Sequence, residues 1–354
     1  MSVQPTEYLR FTSQKALTHR LVLSTLTGRP VHISQIRSSS AVSPGLASHE
    51  ISFIRLLEAI TNGSSLQISY TGLGAHGDVI EYSLPATNTR GVSYFLLPLC
   101  MLAPFSKAPI NVRFTGPGVI TSSTEAGDIS VDSVRTGDSP AIRTVRLPKT
   151  LHLNRNPGRI KRIRGVSYCT GVSASNNARM IHAARGVLNP LVSDVHIAAQ
   201  YDQAPLVSSN DKADPKGKKR TGIGFGLSLV AESSSGGVLY SADVAAPPQG
   251  GVTPEDIGKQ AALQLLETIA QGGCVAKAGA ATILTLMSMG SEDVGRLRIG
   301  RDVIGTEDIL GLGRDLRKFG ASAWGLRDVD EDESGDILVS VKGVGIGNVG
   351  RKIA

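Results

Sequence analysis

The chain has 354 residues, 41% hydrophobic, 19% charged and only 4% aromatic, with a formal net charge of +7 and a pI near 9.4. That length suits two domains, or one large α/β domain with an insertion. No apolar run approaches the ~20 residues that a membrane-spanning helix needs, so a membrane span is excluded, and the basic balance favours a polyanionic neighbour. Cys100, Cys169 and Cys274 are spaced too widely for a zinc knuckle or a redox pair, and an odd number speaks against a secreted disulfide framework. MSVQPTEYLRF lacks the charged-then-apolar layout of a signal peptide. The expectation is a reducing, intracellular compartment.

Taken in chain order, the pattern is a recurring helix followed by a strand. Leu17 and Leu21 open an apolar helix that Gly28 and Pro30 stop, and VHISQI follows as a strand. HEISFIRLLEAITNG then runs as a helix into the strand SLQISY, and SYFLLPLCMLAPF with INVRF repeats the layout more loosely. Leu23 to Thr27 and Leu57 to Thr61 share a pattern 34 residues apart, which suggests duplicated αβ units. Further on, YCTGVSASNNARMIHAARGVLNPLVSDVHIAAQ reads as strand, helix, strand. GIGFGLSLVAES and GVLYSADVAAP read as a strand pair. Thr253, Pro254 and Asp256 begin a capped helix whose apolar face is Ile257, Ala261, Leu265 and Ile269, ended by Gly272 and Gly273.

Charge is unevenly spread along this layout. Between Ser139 and Ser193 there is no Asp or Glu, while ten Lys and Arg residues fall inside, among them Arg155, Arg159, Lys161, Arg162 and Arg164. These five are the candidate RNA-binding residues, the alternative being a solvated basic surface. Lys212 to Arg220 lies in SSNDKADPKGKKR, whose composition predicts a mobile loop. DVDEDESGD, from Asp328 to Asp336, reads as an exposed turn before the last strand.

Several motifs carry less than they promise. GIGNVG, Gly345 to Gly350, has dinucleotide-loop spacing, but only Arg351 to Ala354 follow it, leaving no helix for a pyrophosphate. GIGFG at 222–226 is followed by a strand-like segment. No spacing supports a metal site, and no cofactor is expected. Of the seven histidines none follows His196; His19 and His182 sit within apolar helical patterns and read as core. The helix TEDILGLGRDLRKF places Ile309, Leu312, Leu316 and Phe319 on one face, Arg314 and Lys318 opposite, Arg317 beside them and Asp315 on the flank. Arg314, Asp315 and Arg317 could stabilise a phosphodiester transition state with Asp315 as base, but without a metal or a histidine the set would make a poor ribonuclease. A salt-bridged solvent face is the simpler reading.

PGLASHEISFIRLLEAITNGSSLQISYTG, SYFLLPLCMLAPFSK, RIRGVSYCTGVSASNNARMI, QLLETIAQGGCVAKAG, GSEDVGRLRIG and VKGVGIGNVGRKIA together resemble the RNA 3'-terminal phosphate cyclase-like proteins, nucleolar relatives of RNA 3'-phosphate cyclase. The resemblance runs from about Phe11 onward. It implies an α/β (α+β) fold of repeated βαβαββ units with a smaller inserted αβ domain: cyclase-like repeats over 1–164, the insert over 165–248 and a final repeat over 249–354. It further implies a nucleolar component of the small-subunit processome, needed for early cleavages of the ribosomal RNA precursor. Its implied partners are that precursor, small nucleolar RNA and a ribosome-biogenesis GTPase, with the chain a monomeric subunit of a large particle.

Two departures separate the chain from the active cyclases. Their nucleophilic histidine has no counterpart in Asp302 to Thr306 (DVIGT), and their glycine-rich GEGGGQ-type segment is replaced by TSQKALT, Thr12 to Thr18. Without the nucleophile no enzyme-AMP intermediate forms, so cyclase activity is not expected. Endonuclease activity proposed and disputed for the family rests on an Arg-Asp-x-Lys set, matched here by Arg314, Asp315 and Arg317. Arg in the third position keeps the charge but resists deprotonation, which suits holding a phosphate better than moving a proton. The connections TGLGAHGDVIEYS and TGDSPAIRTV are also shorter than the family's.

Overall fold

The computed structural model describes residues 7–41, 44–61, 80–84, 90–105, 112–115, 150–204, 206–208, 218–220, 223–247, 250–329 and 335–346. The first described unit is a β-α-β: β1 (Leu9–Thr12), α1 (Leu17–Thr27) and β2 (Val31–Ser34), the strands parallel with Arg10 opposite His32 and Thr12 opposite Ser34. Gly28 ends α1 in the left-handed conformation, φ 66°, a geometry that costs glycine nothing. A second parallel unit follows α2 (Ser48–Ile60), consisting of β3 (Ile80–Ser83), α3 (Ser93–Leu102) and β4 (Val112–Thr115). The expected helix-then-strand repeat is therefore present in α1–β2 and α3–β4; SLQISY lies outside the described residues. β3 went unnoticed in the sequence because its alternation, Ile80-Glu81-Tyr82-Ser83, is only four residues long and follows a glycine-rich run.

Phe53, Leu56 and Leu57 of α2 and Phe95, Leu99 and Met101 of α3 form one apolar core with Leu21 and Val22 of α1. Arg37 forks onto Glu50, with Nη1 donating to Oε2 at 2.8 Å and Nη2 to Oε1 at 2.6 Å. Glu50 also accepts from Ala47 N at 2.8 Å, so one buried carboxylate both caps α2 and ties down the preceding loop.

β5 (His152–Leu153) leads into β6 (Ile160–Thr170), α4 (Ser175–Leu188), β7 (Val195–Asp202), β8 (Leu206–Ser208), β9 (Lys218–Arg220), β10 (Gly224–Ser233), β11 (Leu239–Ala245) and α5 (Pro254–Ala270). β6, β7, β10 and β11 form a sheet in the order β11-β10-β6-β7, with only β6 and β7 parallel. One face is covered: Ile163, Leu227, Leu229 and Tyr240 pack against Met180, Ala184 and Leu188 of α4 and Ile257, Ala261 and Leu265 of α5. Thr253 caps α5 as expected, its Oγ1 accepting from Asp256 N at 3.2 Å. Lys218–Arg220 correct the loop reading of the second basic run: they are strand β9, paired with β8, while 209–217 lie outside the described residues. His182, read as a core residue, is exposed on α4 and stays outside the sheet's apolar core.

The last part holds α6 (Lys277–Met289), β12 (Val294–Gly300), α7 (Arg301–Ile304), α8 (Glu307–Lys318), β13 (Gly325–Asp328) and β14 (Asp336–Lys342), with strand order β13-β14-β12-β5. Its core joins Leu284, Leu297, Ile299, Leu312, Leu316, Phe319 and Val339 to Phe11 of β1 and Leu23 of α1. The acidic run needs a correction at its end. Asp336 is 2% exposed and accepts from Arg298 Nε at 2.6 Å, so it is a core anion, unlike the exposed Asp328, which pairs with Arg301. Gly272 leaves α5 with φ +71° and its absent Cβ would lie 2.6 Å from Asp336 Oδ1, so any side chain there would displace that carboxylate. Tyr240 donates to Gly273 O at 2.8 Å across the same junction. Burial pushes the Tyr240 hydroxyl up to about 12 and the Cys274 thiol up to about 11, so both stay protonated and Cys274 is a packing residue rather than a reactive thiol. No helix is long and apolar enough to cross a membrane, among the described residues.

Candidate nucleic-acid interface

The β1–β2 pair has two faces. Leu9, Phe11, Val31 and Ile33 pack inward toward α8, where Phe11 stacks on Phe319 with ring centroids 5.7 Å apart. Strand periodicity sends Arg10, Thr12, His32 and Ser34 the other way. With Tyr8, Phe11, Arg20 and Lys318 they line a cleft of about 520 Å³. No carboxylate lines it, and among the described residues neither Arg10 nor Lys318 is in an ion pair.

Two cations lie over the Phe11 ring, Arg20 Cζ and Lys318 Nζ each 4.7 Å from its centroid. Arg20 is tightly held. Its Nε donates to Asp315 Oδ2 at 2.7 Å and its Nη1 to the carbonyls of Thr12 and Ser13 at 3.2 and 3.3 Å. Arg29 Nη1 donates to Lys318 O at 3.2 Å, capping the last turn of α8 and fixing where Lys318 begins. The segment between β1 and α1 is unusual: Ser13 and Ala16 hold φ 72° and 54°, conformations that glycine adopts freely and other residues at a cost of roughly 1–2 kcal/mol.

The helix candidates divide between two sides of α8. Asp315, on the flank of the helix, is 6% exposed and turned toward α1, while Arg314 and Arg317 are exposed and absent from the cleft lining. At about 100° per residue Arg314 and Lys318 lie about 40° apart on the outer face, with Asp315 about 60° beyond Lys318 and Arg317 about 60° beyond Arg314 on the opposite side. Sequence reasoning missed Arg10, Arg20 and Lys318 as a group because they come from three elements; the β1–β2 alternation was the available signal. Histidine is present after all. His32 lines the cleft. Burial holds His19 below the ordinary imidazole value against the opposing charges of Asp315 and Asp308, and its Nε2 has no hydrogen-bond partner.

The basic run at β6 is not one patch. Arg162 and Arg164 project from the open face of the sheet and Lys161 from the other. Three cations that stand unopposed along the sequence are opposed in space: Arg162 by Glu232 at 2.6 Å, Arg164 by Asp194 at 2.8 Å and Arg179 by Glu255 at 2.7 Å. Arg155, Arg159 and Lys161 are exposed. No cluster of His, Cys, Asp and Glu could hold a metal, among the described residues.

The model of the RNA 3'-terminal phosphate cyclase insert domain matches residues 155–270, a span that includes the whole sheet of β6, β7, β10 and β11 with α4 and α5. Over 395 aligned residues the chain is 33% identical to the rRNA processing protein RCL1 of Saccharomyces cerevisiae, covering 100% of both chains. It is 34% identical to the rRNA processing protein rcl1 of Schizosaccharomyces pombe, over 97% of this chain and 98% of that one. To the RNA 3'-terminal phosphate cyclase-like protein of Homo sapiens it is 34% identical, over 95% and 96%. The chain belongs to the RNA 3'-terminal phosphate cyclase-like family. The alignment with the budding-yeast member is longer than the 354 residues of this chain, so that member has stretches with no counterpart here, in keeping with the short connections. TSQKALT holds two left-handed backbone conformations at Ser13 and Ala16, and DVIGT spans most of α7 and the turn into α8, with Val303 and Ile304 buried.

Proposed function

We propose that the chain works in ribosomal RNA processing as an RNA-holding assembly factor, gripping phosphates of the precursor in the cleft between β1–β2 and α8. One observation carries this reading: Arg10 and Lys318 share a cleft with no carboxylate in its wall, while Asp315, the one candidate base, is already engaged by Arg20. Cations on a rigid strand and a capped helix end suit phosphate holding, which needs charge and geometry and no proton transfer. Arg155, Arg159 and Lys161 extend the contact; Arg162 and Arg164, balanced by Glu232 and Asp194, add less. The relatives' names support the processing role. The finer assignment follows the resemblance: the small-subunit processome, a nucleolar location, a GTPase partner, no cyclase activity and cyclase-like parts on either side of an insert.

The test is fluorescence anisotropy of a precursor-rRNA fragment with the full chain, titrated between about 50 and 200 mM salt. Replacing Arg10 and Lys318 together by Ala should weaken binding and reduce the salt slope by about 2, close to one for each phosphate that is no longer neutralised. An unchanged affinity and slope would sink the reading. So would RNA cleavage by the purified protein that Asp315→Asn abolishes without unfolding it, which is the endonuclease alternative built on Arg314, Asp315 and Arg317.

A further inference from the structure

The cleft has one feature that phosphate holding does not use. Tyr8 is 52% exposed, contacts no other ring among the described residues, and stands two residues before Arg10, just ahead of β1. Among the described residues Tyr201 is the only other exposed aromatic side chain, and its strand neighbours are Gln200 and Asp202. At Tyr8 a free aromatic face lies roughly 7 Å along the strand from a guanidinium, with Lys318 across the cleft. Thr12, His32 and Ser34 add polar groups to the same wall.

We propose that Tyr8 is a stacking platform for one unpaired base of a single-stranded RNA whose adjoining phosphates sit on Arg10 and Lys318. The inference rests on the cleft reading above and adds the form of RNA that the cleft accepts. An aromatic face beside a basic groove takes bases of any identity, because every base has a π-face. A duplex keeps its bases stacked inward and presents none to Tyr8, so loops, bulges and ends are selected over helices. A cleft of about 520 Å³ is in the size range of small-ligand sites, room for a nucleotide rather than a helix.

The experiment compares a labelled single-stranded oligouridylate with the same backbone carrying abasic positions, using the full chain and the variants Tyr8→Ala, Tyr8→Phe and Arg10→Ala with Lys318→Ala. Tyr8→Ala should weaken oligouridylate binding about tenfold, leave the abasic strand unaffected and keep the salt slope, while Tyr8→Phe binds like the parent. Tyr8 precedes β1 and is half exposed, so the fold tolerates its loss; an unchanged thermal midpoint confirms this. If Tyr8→Ala binds normally while the Arg10/Lys318 variant does not, the platform is wrong and the cleft reading stands. If neither variant changes binding, both fail. Equal weakening on the abasic strand would mark Tyr8 as a phosphate contact and overturn stacking, as would tighter binding of a phosphopeptide than of RNA.

Discussion

The cleft and the open face of the β6–β10 sheet both carry arginines against carboxylates, yet they are electrostatically different surfaces. On the sheet, Arg162 and Arg164 meet Glu232 and Asp194 with both partners well exposed to water, where charges are screened and a pair contributes little. At the cleft, Arg20 and the Asp315 behind it keep only 13% and 9% of their side chains exposed, and Arg10 and Lys318 have no counterion among the described residues. A run of basic residues in a chain is therefore a poor guide to a basic surface. What matters is which carboxylates the fold returns to it.

The largest effect should come from breaking the cleft pair. Asp315→Ala strands a mostly buried guanidinium, and urea denaturation should show a loss of about 3–5 kcal/mol, with Asp315→Asn milder because the amide oxygen can still accept from Arg20 Nε. Loss no greater than that from Asp194→Ala would erase the distinction between the regions. His19 sharpens it further. The unfolded imidazole takes up a proton near pH 6.5 and the buried one only at lower pH, so the unfolded state binds more protons, and stability present above pH 6.5 is lost as the pH falls below it. Urea midpoints between pH 7.5 and 5.5 should drop for the parent and stay flatter for His19→Gln.

On the sheet the hydrogen bond from Arg164 holds Asp194 below the usual carboxylate range. Its contribution is present above about pH 3.9 and fades as acid protonates the folded carboxylate. Midpoints for Asp194→Asn and the parent should differ slightly at pH 7, and the difference should shrink as the pH falls below about 3.9. The smallest change expected is a gain: Ala16→Gly relieves a left-handed alanine at the start of α1, worth up to about 1 kcal/mol after the extra freedom of the unfolded glycine is counted. A loss there would mean that the Ala16 methyl packs well enough to outweigh its strain.

Much of the fold was legible because local signals agreed. Gly28 stops α1, Thr253 and Asp256 cap α5, and the apolar spacing of Ile257, Ala261 and Leu265 fits the face that α5 buries. The candidate site was legible only in pieces. Lys318 was noticed on its helix, but Arg10 and Arg20 look like ordinary surface cations until β1, α1 and α8 meet. Asp336 closes an acidic run and looks solvated, yet Arg298, 38 residues away, takes it into the core.

The sequence by itself determined the family and the α/β pattern, since these are written in residue identity and short-range periodicity. Tertiary structure alone decided which charges remain uncompensated. It paired Arg162, Arg164 and Arg179 with carboxylates outside their own stretch, buried Asp315 against Arg20, and left Arg10 and Lys318 facing a shared cleft beside Tyr8. Coulomb energy depends on distance through space and on burial, and the order of residues along a chain specifies neither.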